Sequence, residues 1–115
     1  MKGVKNMEKL VKNGCVAVLV SHGYGAGWST WEHDERILFD PVLAEMLEDG
    51  RAVEGDAAWF EKIEQVAKER YPDAYLGGLD GLTVHWVPEG SRFRIEEYDG
   101  AESIVFENEY RWSVA

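Results

Sequence analysis

Residues 15–21, Cys-Val-Ala-Val-Leu-Val-Ser, form an unbroken, largely β-branched apolar run that only its last residue breaks. A run without polar alternation suits a β-strand buried on both faces. It falls far short of the roughly 20 apolar residues a membrane span needs. It is also too short for a secretory h-region and lacks a small-residue cleavage site. Whatever the chain builds must therefore be built around this strand.

The apolar spacing then changes twice. Asp40-Pro41 is a helix-start signal, an N-cap carboxylate followed by proline at the first helical position. Leu43, Met46 and Leu47 would face inward on that helix, which stops at Gly50. Asp56 can cap a second helix whose inner face is Trp59, Phe60, Ile63, Val66 and Ala67, with Pro72 ending it. Beyond residue 82 the period is 2. Leu82, Val84 and Trp86 alternate with Thr83 and His85, and Phe93 and Ile95 alternate with Arg92, Arg94 and Glu96. Between them Val87-Pro88-Glu89-Gly90 reads as a type I turn, and Asp99-Gly100 is a strong hairpin signal leading to a strand from Ile104. Tyr110 to Val114 can add one more strand. The order β-α-α-β-β-β predicts an α+β, two-layer domain, with a mainly antiparallel sheet and helices on one face. In that domain residues 15–21 pair with the 82–106 hairpin.

Charge divides the chain. Residues 1–14 hold Lys2, Lys5, Lys9 and Lys12 against Glu8, a net +3, while the whole chain is at −10, leaving −13 on residues 15–115. We read 1–14 as a basic extension, either a tail or a short helix through Val4, Met7, Leu10 and Val11, and 15–115 as one domain. A body this acidic repels phosphate backbones, so direct nucleic-acid binding is not expected. One cysteine, Cys15, allows no intrachain disulfide and fits a reducing cytoplasm. With five tryptophans and an exposed sheet edge, self-association as a two-fold homodimer is expected.

The most unusual stretch is the loop after the first strand, Gly23-Tyr24-Gly25-Ala26-Gly27-Trp28-Ser29-Thr30-Trp31. It is not a phosphate loop of Walker type, which needs a lysine, nor a dinucleotide fingerprint, since its glycines read GxGxG and no helix follows. Gly23, Gly25 and Gly27 leave it able to wrap a ligand, with Tyr24, Trp28 and Trp31 available to stack on a planar ring. The bland reading is that both tryptophans plug the core edge. The second stretch is 93–102, plainly a β-hairpin with polar flanks, where Glu97, Asp99 and Glu102 lie near one turn and could accept from ribose hydroxyls, an amine or an arginine of a partner. If the two segments share a sheet end, they line one pocket. Glu32-His33-Asp34-Glu35 reads as a solvated acidic turn, and His22 and His85 as lone histidines. No metal-ligand spacing, cofactor motif or nucleophile–base set is visible.

YGAGWSTW and VPEGSRFRIEEYDGAESI together resemble paired signatures of small uncharacterised proteins encoded by tailed phages and prophages. The resemblance spans most of residues 15–106. It implies an accessory role in the host cytoplasm and no particular chemistry. The sequence thus supports a non-enzymatic, sequestering binder of a small nucleotide-like ligand. Two alternatives stand beside it: an acidic inhibitor of a host nucleic-acid-binding or defence protein, and a small metal-dependent nucleotide hydrolase.

Overall fold

The computed structural model describes residues 8–23, 25–32, 34–50 and 57–107. Val11–Lys12 (β1) and Cys15–Ser21 (β2) form a hairpin closed by Asn13 and Gly14 at φ 52° and 79°. Two successive positive φ values are what a type I′ turn requires, and Asn-Gly adopts them readily. The Ala17 N–H also donates to the Leu10 carbonyl at 2.9 Å. Leu10 to Gly14, assigned by charge to the extension, are thus drawn into the sheet, and Val11 is extended, not helical. Val4 and Met7 lie outside the described residues.

Leu82–Pro88 (β3) pairs antiparallel with the other side of β2, from Cys15 opposite Pro88 to Ser21 opposite Leu82. β2 is the central strand of this three-stranded sheet, and Val16 to Ser21 are all buried. Its alternate side chains serve two cores. Ala17 and Leu19 join Trp28, Ile37 and the helices, while Val18 and Val20 join Val87 on the opposite face. Both faces are covered, which is why the run shows no alternation.

Pro41–Gly50 (α1) begins as its sequence implies: Asp40 Oδ1 accepts the Leu43 N–H at 2.9 Å, as an N-cap carboxylate does. Leu43, Ala44 and Leu47 are buried, with Met46 packed beside them. Ala57–Arg70 (α2) lays Ile63 and Ala67 on the same core, flanked by half-buried Trp59, Phe60 and Val66. A fully buried Leu or Ile such as Leu43 or Ile63 contributes roughly 1.5–3 kcal/mol. The expected capping residue Asp56 lies outside the described residues. Among those described, no helix is long and apolar enough to cross a membrane.

Phe93–Tyr98 (β4) and Ala101–Phe106 (β5) form the second hairpin, closed by Asp99 and Gly100 at φ 51° and 88°. The molecule is α+β, with its helices on one face of an antiparallel sheet. Pairing of residues 15–21 with the 82–106 segment holds for β3 alone, because β4–β5 is a separate two-stranded ribbon. The reason lies in cross-strand pairs. Phe93 faces Phe106 and Ile95 faces Ile104, so one side of the ribbon is apolar and covers Val18 and Val20. The turn before it also differs from type I. Ser91 N–H donates to the Pro88 carbonyl at 3.0 Å and Gly90, in third position, has φ 88°, a type II geometry. Tyr110 to Val114 lie outside the described residues.

Candidate functional site

The strand β2 delivers its loop to the same end of the molecule as the Asp99-Gly100 turn, and the two segments touch. The Gly25 N–H donates to the Asp99 carbonyl at 2.6 Å, and a Cβ at buried Gly100 would run into the backbone of Ala26. The strongest tie is Glu102, on β5 and 2% exposed. Its Oε1 accepts the Ser21 N–H at 3.0 Å; its Oε2 accepts the Trp28 N–H at 2.7 Å, the Thr30 N–H at 3.0 Å and the Thr30 hydroxyl at 2.5 Å. One carboxylate thus serves two backbone donors of the irregular loop and one at the end of β2.

This closeness uses up several of the expected ligand contacts. Trp28 is wholly buried, its faces in the helix-side core and its Nε1–H donating to the Ile37 carbonyl at 2.8 Å. Glu97 Oε2 accepts the Gly100 N–H at 2.7 Å and so closes its own turn. Asp99 and Gly25 are exposed, Gly23 is half-buried against Gly81, Gly27 is buried, and Tyr24 is outside the described residues. Of the described loop aromatics, Trp31 reaches solvent. It is 40% exposed and stacks on Tyr75, 50% exposed, with ring centroids 5.8 Å apart and planes 18° apart.

Tyr75 belongs to the connection after α2, where no periodicity marks it out. It is held to the loop by its N–H, which donates to Glu32 Oε2 at 2.6 Å. Next to this stack a cleft of about 170 Å³ is lined by Glu32, Asp34, Arg36, Arg70, Tyr71 and Asp73, among others. Asp34 holds the Arg36 guanidinium through Nε at 2.9 Å and a terminal nitrogen at 2.6 Å, which raises the arginine pKa further. Behind the cleft, buried Asp40 accepts Arg70 Nε at 2.8 Å and the Tyr71 hydroxyl in a short hydrogen bond. Burial first, and Asp40 second, push the Tyr71 pKa up, so the phenol stays a neutral donor. Both guanidinium carbons lie over the Tyr71 ring, 5.4 Å and 5.9 Å from its centroid. Arg92 and Arg94 are engaged instead by Glu107 and Glu96, toward the far end of the ribbon from its turn.

Two further features escape local pattern. The histidines are a pair: His22 Nε2 and His85 Nε2 are 2.9 Å apart, with rings tilted by 54°. Burial, and next the charge of His22, lower the His85 pKa below the ordinary imidazole value. Of the acidic turn, Asp34 caps the short 3-10 turn Glu35–Leu38 through the Arg36 N–H, and His33 lies outside the described residues. Among the described residues no three His, Cys, Asp or Glu side chains converge as a metal cluster. Comparison of the chain with protein-family models, with curated proteins and with solved structures returns no match.

Proposed function

We propose that the protein is a non-enzymatic binder of a small nucleotide-like ligand, an accessory protein of phage or prophage type acting in the host cytoplasm. The observation that carries this reading is the exposed Trp31–Tyr75 stack beside a cleft holding Arg36 and Arg70. Stacking of a base on an aromatic ring contributes about 1–3 kcal/mol and tolerates any base. The guanidinium fork matches phosphate geometry. Arg36 is mostly exposed, so its pair with Asp34 is of the solvent-screened surface kind and leaves the guanidinium within reach of a phosphate. Arg70 keeps Nε on Asp40 and has further N–H donors to offer. The stacking role expected of Trp28 passes to Trp31 in this reading, and the Gly25–Asp99 and Glu102 contacts serve to hold Trp31 in place.

The acidic-inhibitor reading draws less support. On the outer face of α2, Glu61, Glu64 and Glu69 are interleaved with Lys62 and Lys68, and Lys68 lies 3.9 Å from Glu64. That is a mixed surface, not a single-signed row. The test is calorimetric titration of mono-, di- and cyclic nucleotides and ADP-ribose into the parent, Trp31→Ala and Arg36→Ala. Binding by the parent that both variants weaken supports the proposal. A parent that binds none of them overturns it.

A further inference from the structure

The histidine pair takes no part in the lining of the cleft, and it sits on a rigid support. His22 follows β2, with its N–H donating to the Gly81 carbonyl at 3.0 Å; His85 lies in β3 opposite Val18. The β2–β3 ladder therefore fixes both backbones, and the two Nε2 atoms face each other at 2.9 Å. Two neutral imidazoles can share one N–H in this geometry. The same Nε2···Nε2 separation is also that of a chelating bite once the rings turn to aim both lone pairs at one point beside the line that joins them. Two metal–nitrogen bonds of about 2.0–2.1 Å whose nitrogens are 2.9 Å apart enclose an angle of about 90°. A tetrahedral ion would need its two nitrogens about 3.3–3.4 Å apart with the same bond lengths. A right angle is the cis angle of a tetragonal site, the preference of Cu(II) and Ni(II) with nitrogen and oxygen donors.

We propose that His22 and His85 form a bidentate site for a tetragonal divalent ion, Cu(II) before the others, with both Nε2 atoms as cis ligands. His22 is exposed, so the remaining coordination positions are open to water or to an added donor. To bind, the ring that carries its proton on Nε2 moves it to Nδ1. A neutral pair thus takes the ion without net proton release. Copper stands first because divalent affinities for such ligands peak there.

The experiment is titration of Cu(II) into the full chain, followed by electron paramagnetic resonance, beside His22→Ala and His85→Ala. The parent is expected to bind one ion at micromolar free copper with an axial spectrum showing two nitrogen couplings. Each variant is expected to lose affinity by roughly tenfold or more, since even the loss of a residue supporting a ligand costs 10–100-fold. His22 is exposed, so His22→Ala decides the matter should His85→Ala fail to fold, and a thermal melt of each variant identifies that case. A parent that binds no ion in this range overturns the proposal. So does a folded His22→Ala that binds copper as tightly as the parent, which would place the ion at His33 or the chain terminus.

Discussion

The carboxylate of Glu102 accepts the backbone N–H of Trp28 at 2.7 Å from inside the protein, where the glutamate is only 2% exposed. Because Oε1 accepts the Ser21 N–H while Oε2 accepts the Trp28 N–H and both donors of Thr30, either orientation of an amide turns its NH₂ toward at least one N–H group. Glu102→Gln should therefore cost about 1–3 kcal/mol, the range that spans hydrogen bonds to charged groups and orphaned buried donors. Urea unfolding with an unchanged m-value would measure it. A loss under about 0.5 kcal/mol would mean that the loop is held by something else.

The two loop tryptophans should separate cleanly. Trp28→Ala removes a fully buried ring and should cost about 3–5 kcal/mol of stability. Trp31→Ala, at the surface, should leave the melting temperature nearly unchanged and weaken nucleotide binding by roughly tenfold or more, as loss of a base–aromatic stack does. Parallel denaturation and calorimetry on both variants check this. Equal effects on stability would contradict the placement of the two rings.

Gly14 and Gly100 occupy the same position in two turns of the same type, yet they should respond differently to alanine. A methyl group at Gly14 would meet nothing within 4 Å, so Gly14→Ala carries only the strain of φ 79°, about 1–2 kcal/mol. At Gly100 the added carbon would meet the backbone of Ala26. Gly100→Ala should be the more destabilising by roughly 1–3 kcal/mol, the cost of overpacking, and should part the loop from the ribbon. Chemical denaturation of the pair gives the difference directly.

The Tyr71 phenol predicts an alkaline limit. Its native pKa is raised by burial and then by Asp40. A group raised on folding contributes its stability below the unfolded value, about 10 for tyrosine, and loses that contribution as pH climbs through the native value. Stability should thus fall above about pH 10, and Tyr71→Phe should flatten that fall while costing about 1–3 kcal/mol near neutrality through the lost bond to a carboxylate. Unfolding curves on both proteins from neutral to alkaline pH would show it. A parallel decline in parent and variant would remove Tyr71 as the cause.

Local spacing is informative wherever one residue's environment sets its neighbours' faces. The run at 15–21, the Asp40-Pro41 start, the Ile63 and Ala67 stripe and the Asp99-Gly100 turn all appear as their patterns imply. Asn13-Gly14 is an equally plain hairpin signal, obscured by the lysines around it, which read as a tail. Strand partnership is not legible. Alternation at Phe93 and Ile95 defines an apolar face, but not whether that face extends a sheet or covers one. Only the need to cover Val18 and Val20 decides it. For the same reason the site is half legible. The loop and the turn meet because both sit at strand ends, whereas Tyr75, Arg70 and the His22–His85 pair depend on register and helix placement across dozens of residues.

The single side chain of Glu102 also couples parts of the chain that are far apart in time as well as in sequence. The amide protons of Ser21, Trp28 and Thr30 end on an atom group belonging to β5. Their exchange with solvent deuterium requires that carboxylate to release them, and its strand is part of the ribbon seated on Val18 and Val20. Slow exchange at a glycine-rich loop would look anomalous from its composition alone. Here it follows from one shared acceptor, which makes the loop open at the rate of the ribbon and not at its own.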